Sequence, residues 1–517
     1  MYNVFYTKGG VKLFKKVVAA ALAALMLVGC AGGAKNNDGG TKEAGSERKD
    51  TVRMSMYTEI DSMNPFKMTA GDTETVMDQV FDGLFDADEK GDLVPDLAES
   101  YTVSDDGLTY VFNLKKDVKF HNGKDFKAED VVWTYDQYAG ISSGEPKSAK
   151  FQIIKGVKAL DDYTVEVTLG ERHNEFIYLT LKPIMPKDYE DQDTNPVGTG
   201  PFKFVSYSPG EILVLERNDD YHKKDHIPSY KNLEIIRMKD VQTIVMALKS
   251  GEIDITPRLS QEEKAQLEGD ATFVEGPQNL VQTLGLNNTA EPFNDIRVRK
   301  ALNYAINRDE LIETVSLGQA TKVYSNFSPA LPKYYIELSD LYPHDVEKAK
   351  ALLKEAGYEN GFNMTITVPS DYKYHMDTAE VLVSQLAEIG VNAEIEPIEF
   401  ATWLTRVYKG REFQSTLIGF IGYLDPAQVL QRYTSDNKSD YINYNNPEFD
   451  AAMKDASSTS DEQVQIQRYK DAQRILAEDA ASVFLVDPDA ITAVRNGVEG
   501  LKLYPIQKLN LEDIVIK

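Results

Sequence analysis

The sequence predicts an α/β protein with at least two lobes. The chain has 517 residues, and about 467 of them follow residue 50, which is more than a single hydrophobic core usually serves. Strand-like and helix-like segments alternate along this body. Strand 363–368, helix 376–389 and strand 392–397 form the clearest unit, because a helix between two strands predicts a parallel pair in one sheet. The character of the sequence changes near residue 277.

The amino terminus predicts a secreted lipoprotein. Four lysines precede an apolar stretch from Val17 to Gly29, and the only cysteine of the chain, Cys30, follows it. About 20 apolar residues are needed to span a bilayer, so residues 1–29 are predicted to be a signal peptide. Leu27-Val28-Gly29-Cys30 fits the lipoprotein cleavage box, in which Cys30 receives a diacylglycerol that would hold the protein on the outer face of a membrane. The alternative is a single free thiol after an apolar run.

Residues 30–50 are predicted to comprise the lipidated Cys30 and a flexible tether that follows it. The stretch after Cys30 holds five glycines, and its only apolar residues are three alanines, so it cannot bury enough surface to fold. Its expected span is about 25 Å. That length would let a folded body stand off the membrane.

The charge of the chain excludes some partners. With 82 Asp and Glu against 56 Lys and Arg, the formal net charge is −26. Such an acidic surface argues against nucleic acid or anionic lipid as a direct partner and favours solubility. Because no cysteine follows Cys30, no intramolecular disulfide framework is expected.

The first half of the body predicts paired strands and three helices. Alternating polar and apolar residues predict strands, and turn residues such as Lys90-Gly91 and Asn122-Gly123 separate them. The predicted strands are 51–57, 110–114, 153–160, 163–168, 201–207, 211–217 and 251–255. The predicted helices are 74–84, one that starts at Ala128, and 241–250.

The second half predicts a strand at 279–287 and a helix at 295–307. In helix 345–357, Asp345 suits the N-cap and Gly357 the position after the end. The strand–helix–strand unit follows, and then a helix at 461–479 and a strand at 482–486. The last thirty residues predict short strands and turns.

Four segments together resemble one family. Residues 104–133 read SDDGLTYVFNLKKDVKFHNGKDFKAEDVVW, residues 198–202 GTGPF, residues 251–255 GEIDI and residues 295–307 DIRVRKALNYAIN. They closely resemble the family 5 extracellular solute-binding proteins, the peptide and nickel type receptors of ABC importers. One residue departs from the family pattern, because Lys127 stands where a Thr or Ser usually caps the helix.

The resemblance implies a two-lobed, periplasmic-binding-protein-like fold of type II, cluster C. Lobe I would comprise 51–276, with a subdomain inserted at about 95–195, and lobe II would comprise 277–489. Residues 490–517 would return to lobe I. A ligand would lie in the cleft between the lobes, which would close by a hinge motion. The resemblance further implies a monomer without a cofactor that delivers its solute to ABC permease subunits.

Peptide-binding members of the family hold their ligand through a cleft segment, whose counterpart here is residues 418–426. Gly419, Phe420, Ile421 and Gly422 match the stretch that pairs with the peptide backbone. Tyr423 stands near the position of the Asp that binds the free amine, so recognition of a free amine is in doubt. Asp425 could substitute for that Asp, or it could cap a helix that begins at Pro426.

Other cleft candidates come with structural alternatives. Trp403 could form an aromatic wall or belong to ordinary core. Arg432 could clamp a carboxylate or lie on a solvated face. The remaining candidates are Tyr57, Thr58 and Glu59 at the end of the first strand, and Asn443 and Tyr444 after the cleft segment.

Enzyme and metal functions receive little support from the sequence. No GxSxG elbow, Walker loop or CxxC pair is present. An EF-hand start at Asp86 fails because Leu97 stands where the bidentate carboxylate is required. His222 and His226 have the spacing of a helical metal pair, but their context is rich in turns and lysines. We therefore expect a receptor for a peptide or peptide-like solute. The alternatives are a receptor for a metal chelate, opine or oligosaccharide, and, from other classes, a surface hydrolase or a structural lipoprotein.

Overall fold

A sheet of twelve strands runs through both lobes of the protein. The computed structural model describes residues 50–437 and 440–517. The predicted signal peptide, Cys30 and nearly all of the tether lie outside these residues. Below, lobe I denotes residues 51–276 and 490–517, and lobe II denotes residues 277–489, which are the predicted limits.

Lobe I contains most of the short strands. Its strands are β1 (Thr51–Met56), β2 (Phe85–Ala87), β3 (Leu93–Pro95), β4 (Ala98–Val103), β5 (Thr109–Leu114), β6 (Ile154–Asp161), β7 (Thr164–Leu169), β8 (Phe202–Ser208), β9 (Ile212–Arg217), β10 (Asn232–Arg237), β11 (Ile255–Thr256) and β12 (Ala271–Pro277). Its helices are α1 (Gly71–Met77), α2 (Ala128–Ala139), α3 (Val241–Ser250) and α4 (Gln261–Leu267).

Lobe II contains longer helices and a strand that it shares with lobe I. Its strands are β13 (Leu280–Leu286), β14 (Ala320–Lys322), β15 (Phe362–Pro369), β16 (Val391–Ile398), β17 (Ser415–Ile421) and the shared β18 (Ser482–Arg495). Its helices are α5 (Ile296–Ala305), α6 (Arg308–Val315), α7 (Val346–Glu355), α8 (Lys373–Ala387), α9 (Phe400–Trp403), α10 (Pro426–Leu430), α11 (Pro447–Ser458) and α12 (Glu462–Glu478). The small strands β19 (Val498–Glu499) and β20 (Val515–Ile516) close the chain.

Strand β18 joins the two lobes. Its first residues, from Ser482 to Val486, pair with β13, and its last residues, from Asp489 to Arg495, pair with β12. The chain crosses between the lobes once more between β12 and β13, at Gln278 and Asn279. The sheet order is β16-β15-β17-β13-β18-β11-β1-β10-β9-β8, with β12 and β14 added to β18.

The inserted subdomain has its own four-stranded antiparallel sheet, in the order β4-β5-β7-β6. Helix α2 contacts it, and the helix begins although Lys127 offers no capping hydroxyl. The Asp130 carboxylate accepts a hydrogen bond from the Lys127 N–H at 3.0 Å, which satisfies a donor at the helix start. Buried side chains of this subdomain, such as Phe112 and Val165, belong to the same hydrophobic cluster as Val52 and Leu233 of the main sheet.

The predicted strand–helix–strand unit is confirmed. Strands β15 and β16 are parallel over their whole length, and α8 lies between them in sequence. Leu382 and Leu386 of α8 are buried together with Ile366 of β15, so the apolar stripe of the helix covers the sheet as its spacing requires.

Three predicted elements differ from the structure. The strand predicted at 251–255 is reduced to β11, Ile255–Thr256, because Gly251 ends α3 in the left-handed conformation and the chain reaches its strand partners only at Ile255. Helix α1 ends at Met77, not near residue 84, because the chain turns to bond residues 198–202. The Gly200 N–H donates to the Val80 carbonyl and the Phe202 N–H to the Gln79 carbonyl, both at 3.0 Å. Strand β18 continues to Arg495, where only short strands were expected, because β12 and β11 give its second half partners on both sides. No helix among residues 50–437 and 440–517 is both long and apolar enough to cross a membrane.

Candidate ligand-binding cleft

Asp487 fixes the two chain segments that cross between the lobes. Its buried carboxylate accepts hydrogen bonds from the N–H groups of Gln278, Asn279 and Leu280 at 3.1–3.3 Å, and from the Ser328 hydroxyl. Burial raises the pKa of Asp487 to about 7, although these donors favour the charged form. The Asp487 side chain thus connects the two chain segments that cross between the lobes.

The end of β17 lies beside this crossing. Ile421, its last residue, pairs with Leu280, the first residue of β13. The Gly422 N–H donates to the Asn279 carbonyl at 2.5 Å. Ile421 and Tyr423 are 50% and 45% exposed, which is high for apolar and aromatic side chains at the boundary of two lobes. The predicted cleft segment therefore reaches the space between the lobes.

One edge of β17 is open near this end. β17 pairs with β13 along its length, but with β15 only through Ser415 and Thr416. From Leu417 onward, that second edge has no strand partner among the described residues. The Gly419 N–H donates instead to His375 Nε2 at 3.1 Å. An added extended chain could therefore pair with this edge only beyond Gly419, because the Gly419 N–H is already bonded and Leu417 and Ile418 are buried.

A lysine of the inserted subdomain contacts the cleft segment from lobe I. Lys150 Nζ lies 2.5 Å from Gln428 Oε1 and 5.0 Å from the ring centre of Tyr423. Burial lowers the pKa of Lys150, and the nearby Lys182 lowers it further. Sequence reasoning missed Lys150, because it lies in a short 3₁₀ helix, Ala149–Ile153, 273 residues before Tyr423, and nothing local marks it.

Asp425 takes the structural role that was one of its two predicted alternatives. It is 5% exposed, and its carboxylate accepts hydrogen bonds from the Ala427 N–H at 2.8 Å and from Gln428 Nε2 at 2.9 Å, which caps α10. Burial raises the pKa of Asp425 to about 7, and the buried Glu175 carboxylate of the inserted subdomain raises it too.

The three candidates at the end of β1 have different surroundings. Tyr57 is 59% exposed. The Thr58 hydroxyl donates to Asp72 at 2.7 Å. Glu59 accepts hydrogen bonds from the Tyr207 hydroxyl and the Gly210 N–H and pairs with Arg237 at 2.6 Å, and the Tyr207 bond is the main cause of its lowered pKa. Glu59 is thus bound within lobe I.

Trp403 and Arg432 pack against the aromatic side of the cleft segment. Trp403 is 2% exposed, stacks on Phe400 and donates from its indole N–H to the Thr416 hydroxyl at 2.8 Å, as ordinary core would. The Arg432 guanidinium lies 4.0 Å from the ring centre of Phe420 and donates from Nε to the Val429 carbonyl. Its charge has no carboxylate partner within 4 Å among the described residues.

Asn443 and Tyr444 do not reach the cleft, so their predicted place in the site is wrong. Ile442, next to them, accepts a hydrogen bond from the Asn288 N–H, just beyond β13 and therefore at the Ser415 end of β17. Asn443 bonds Asn287 and Arg411, and the Tyr444 hydroxyl donates to Asp479. The turn after α10 carries these residues to the far end of the strand, which sequence order does not indicate.

A cavity of about 410 Å³ lies between the inserted subdomain and lobe II. Tyr178 of the subdomain and Tyr334 of lobe II line it, and their hydroxyls lie 3.1 Å apart. Glu175 also lines it and accepts a hydrogen bond from the Tyr469 hydroxyl of lobe II. Subdomain and lobe II thus contact each other through buried polar groups next to Asp425.

His222 and His226 do not form a metal pair. His222 is buried, with Nε2 3.3 Å from carboxylate oxygens of Asp82 and Asp96, whereas His226 bonds Asp513 at the surface. Burial would lower the pKa of His222, but the hydrogen bonds to the two carboxylates outweigh it and raise that pKa. Lys223 Nζ lies 3.0 Å from Asp96 and adds a cation, so the two carboxylates already have partners within the protein.

A cleft between two lobes, with exposed apolar side chains and an open strand edge, is typical of a protein that closes around a solute. Residues 92–441 match the family described as bacterial extracellular solute-binding proteins, family 5 Middle. Because this match covers more than half of the chain, the protein belongs to that family.

Similar proteins include receptors for several solutes. The chain is 29% identical over 467 residues to the dipeptide-binding protein of Escherichia coli K12, covering 82% of this chain and 86% of that protein. It is 31% identical over 429 residues to heme-binding protein A of Haemophilus influenzae, covering 75% and 78%. The periplasmic binding protein DppA of Helicobacter pylori, solved with the peptide STSA, superposes with a TM-score of 0.72 at 28% identity, covering 91% of this chain and 99% of that protein. These similarities show a two-lobed binding-protein fold of type II.

Proposed function

We propose that this protein is the solute-binding lipoprotein of an ABC importer, and that it captures a peptide in the interlobe cleft. The observation that carries the proposal is the open edge of β17 next to the crossing segments. A peptide in extended form would pair with the backbone beyond Gly419, and the exposed Ile421, Tyr423 and Tyr57 would cover its side chains. The protein would release its ligand unchanged to the permease, with no chemistry of its own.

The relatives support this ligand class. Two of the compared proteins are named for dipeptide binding or were solved with a peptide. Main-chain pairing recognises peptides whatever their side chains, which suits an importer of mixed peptides.

A non-peptide solute is the second candidate. One relative is named for heme binding, and Tyr423 and Lys150 occupy the part of the cleft where a carboxylate for a free amine would be expected. A receptor for a metal chelate would need that space and no amine-binding acid.

Thermal denaturation with defined ligands tests the proposal. Residues 51–517 would be heated with a pool of tetrapeptides, with hemin, and with free amino acids as a control. A ligand at 100 times its Kd stabilises the folded state by about 2.7 kcal/mol, which raises the melting temperature measurably. Stabilisation by the peptide pool alone supports peptide capture. Stabilisation by hemin alone contradicts it.

The proposed lipid anchor has a separate test. The full-length Cys30→Ser variant, made in a bacterial host that processes lipoproteins, is expected in the soluble fraction, while the unchanged protein sediments with membranes. Ala31→Ser, with the same new side chain one residue later, is the control and should sediment. A Cys30→Ser variant that stays in the membrane pellet would overturn the anchor without affecting the proposed ligand.

A further inference from the structure

His375 bonds a backbone group of the cleft segment that an extended ligand would otherwise use. This residue lies in the first turn of α8 and is buried, and its Nε2 accepts a hydrogen bond from the Gly419 N–H of β17 at 3.1 Å. On the other side of the ring, Nδ1 lies 2.9 Å from the side-chain amide of Gln282, which also bonds the Thr378 hydroxyl. Because both ring nitrogens are engaged, the ring cannot turn away from Gly419 without breaking buried hydrogen bonds.

Burial keeps His375 in the form that accepts this bond. It lowers the pKa of His375 to about 4, so the ring is neutral at neutral pH and Nε2 keeps its lone pair. The absence of a side chain at Gly419 lets the ring approach, because a Cβ there would lie 3.1 Å from His375 Cε1 and 2.7 Å from Leu280 Cδ2. The bond between His375 and Gly419 is thus a fixed part of the cleft wall.

The open edge of β17 therefore offers only a short row of backbone groups. The Gly422 N–H bonds the Asn279 carbonyl, on the side of β13. Because the backbone groups of successive residues in a strand face opposite edges, those of Ile421 and Gly419 face the open edge. With the Gly419 N–H bonded to His375, the groups that remain beyond this bond are the Gly419 carbonyl and the N–H and carbonyl of Ile421.

The row is limited at its other end by a contact with lobe I. Strand β17 ends at Ile421. Beyond it, Lys150 Nζ of the inserted subdomain lies 2.5 Å from Gln428 Oε1 and 5.0 Å from the ring centre of Tyr423. A chain that pairs with the open edge must therefore fit between this contact and His375.

We propose that His375 limits the ligand to short peptides, of up to three residues, by occupying the backbone donor that a longer peptide needs. This inference rests on the proposed function and specifies its ligand. In an antiparallel pair, the first peptide residue exchanges both hydrogen bonds with Ile421, and the third donates its N–H to the Gly419 carbonyl. A free carboxyl terminus at the third residue can turn to solvent. If the peptide continues, the carbonyl of its third residue faces the occupied Gly419 N–H and stays unpaired, which lowers affinity.

Calorimetry with two peptide pools, made only from residues with neutral side chains, tests the length limit. The unchanged protein, residues 51–517, should bind a tripeptide pool about tenfold more tightly than a tetrapeptide pool, because one unpaired buried carbonyl costs about that factor. Equal or tighter binding of the tetrapeptides overturns the limit and leaves peptide capture intact. Binding of neither pool overturns peptide capture, and the inference falls with it.

Variants then assign the limit to His375. His375→Ala removes the acceptor, and His375→Asn keeps a polar side chain that is too short to reach Gly419. Both should bind the tetrapeptide pool about tenfold more tightly than the unchanged protein, while the affinity for tripeptides changes less. A gain of affinity is an effect that mere damage to the fold does not produce.

Two further variants serve as controls. His375→Gln places an amide oxygen near the position of Nε2, so it should keep the preference for tripeptides. His344→Ala removes an exposed histidine from the loop before α7 and should bind both pools as the unchanged protein does. If neither His375→Ala nor His375→Asn gains affinity for tetrapeptides, or if His344→Ala gains as much, His375 does not set the limit.

Discussion

Asp425 has two neighbours that require opposite protonation states. Because Asp425 is the N-cap of α10, the positive end of the helix dipole stabilises the charged form of its carboxylate. On the side of the inserted subdomain, Asp425 faces the buried Glu175. Two neighbouring buried carboxylates cannot both carry a charge without a large cost in free energy. Burial and Glu175 outweigh the cap, so the pKa of Asp425 rises to about 7.

This raised pKa predicts that stability falls as pH rises. The folded state holds the Asp425 proton more tightly than the unfolded chain, where the pKa is ordinary. The resulting stabilisation is complete below about pH 4 and is lost as pH increases through 7. Asp425→Asn keeps a capping oxygen and removes the charge. Between pH 5 and pH 8, we expect the melting temperature of this variant to fall less than that of the unchanged protein. The corresponding difference in the free energy of unfolding is on the order of a few kcal/mol.

Asp345→Asn is the matched control, because Asp345 also caps a helix, α7, but is exposed to solvent. Its melting temperature should follow that of the unchanged protein across the same pH range. An Asp425→Asn variant with the same pH profile as the Asp345→Asn variant would show that burial beside Glu175 does not control the titration.

The sequence predicts residue roles where the cause is local. Asp425-Pro426 suggested a helix start because capping depends on neighbouring residues, and Asp345 was predicted in the same way. Lys150 and Glu175 could not be predicted, since their roles depend on a contact between the inserted subdomain and lobe II. Tyr444 was misplaced because distance along the chain says little about which end of a strand a later loop reaches.

At the scale of elements, the Gly198–Gly200 segment shows what a short motif can require. Glycines in a short motif often supply backbone angles that other residues avoid. Neither has a positive φ; instead a Cβ at Gly198 would lie 2.1 Å from the Val80 carbonyl oxygen. The glycines are needed because two backbone segments pass each other closely where α1 ends.

This close approach predicts the effect of adding a methyl group. Gly198→Ala cannot be accommodated by a side-chain rotation alone, because the nearest atom, the Val80 carbonyl oxygen, belongs to the backbone. We expect a loss of about 1–3 kcal/mol in the free energy of unfolding, measured with urea. Gly156→Ala in β6 is the control: its Cβ would meet only Thr168 at 3.9 Å, and the stability should change little. Equal stability of the two variants would contradict the packing argument.

Elements were predicted correctly where a periodic pattern of apolar residues extends over many residues. They were predicted incorrectly where pairing with a distant strand determines the structure. The unit of β15, α8 and β16 has clear alternation and a clear apolar stripe, and it was predicted within three residues at each end. The second half of β18 has weak local signals and exists because β12 and β11 pair with it. Such long-range hydrogen bonds cannot be recognised in one sequence.

At the scale of the whole molecule, two lobes share one sheet through a narrow crossing. The resemblance implied two lobes with limits at residues 276 and 489, and the segments that contain Gln278 and Asp487 lie beside these limits. The sequence did not indicate that a single buried carboxylate would connect both segments. A rigid crossing limits the directions in which the lobes can open, so only a few residues can act as a hinge.

Asp487 is therefore expected to influence both stability and ligand binding. Asp487→Ala leaves three backbone N–H groups and the Ser328 hydroxyl without their acceptor in a buried site, which should cost about 3 kcal/mol in the free energy of unfolding. Looser crossing segments would also displace Asn279, whose carbonyl holds Gly422 in the cleft segment, so affinity for the peptide pool should decrease. Urea unfolding and calorimetry measure the two effects. Asp489→Ala, two residues further along β18 and only half-buried, removes a carboxylate of the same strand without these donors and should change both quantities little. If the two variants lose equal stability, or if Asp487→Ala binds the pool as tightly as the unchanged protein, the crossing does not hold the cleft segment in place.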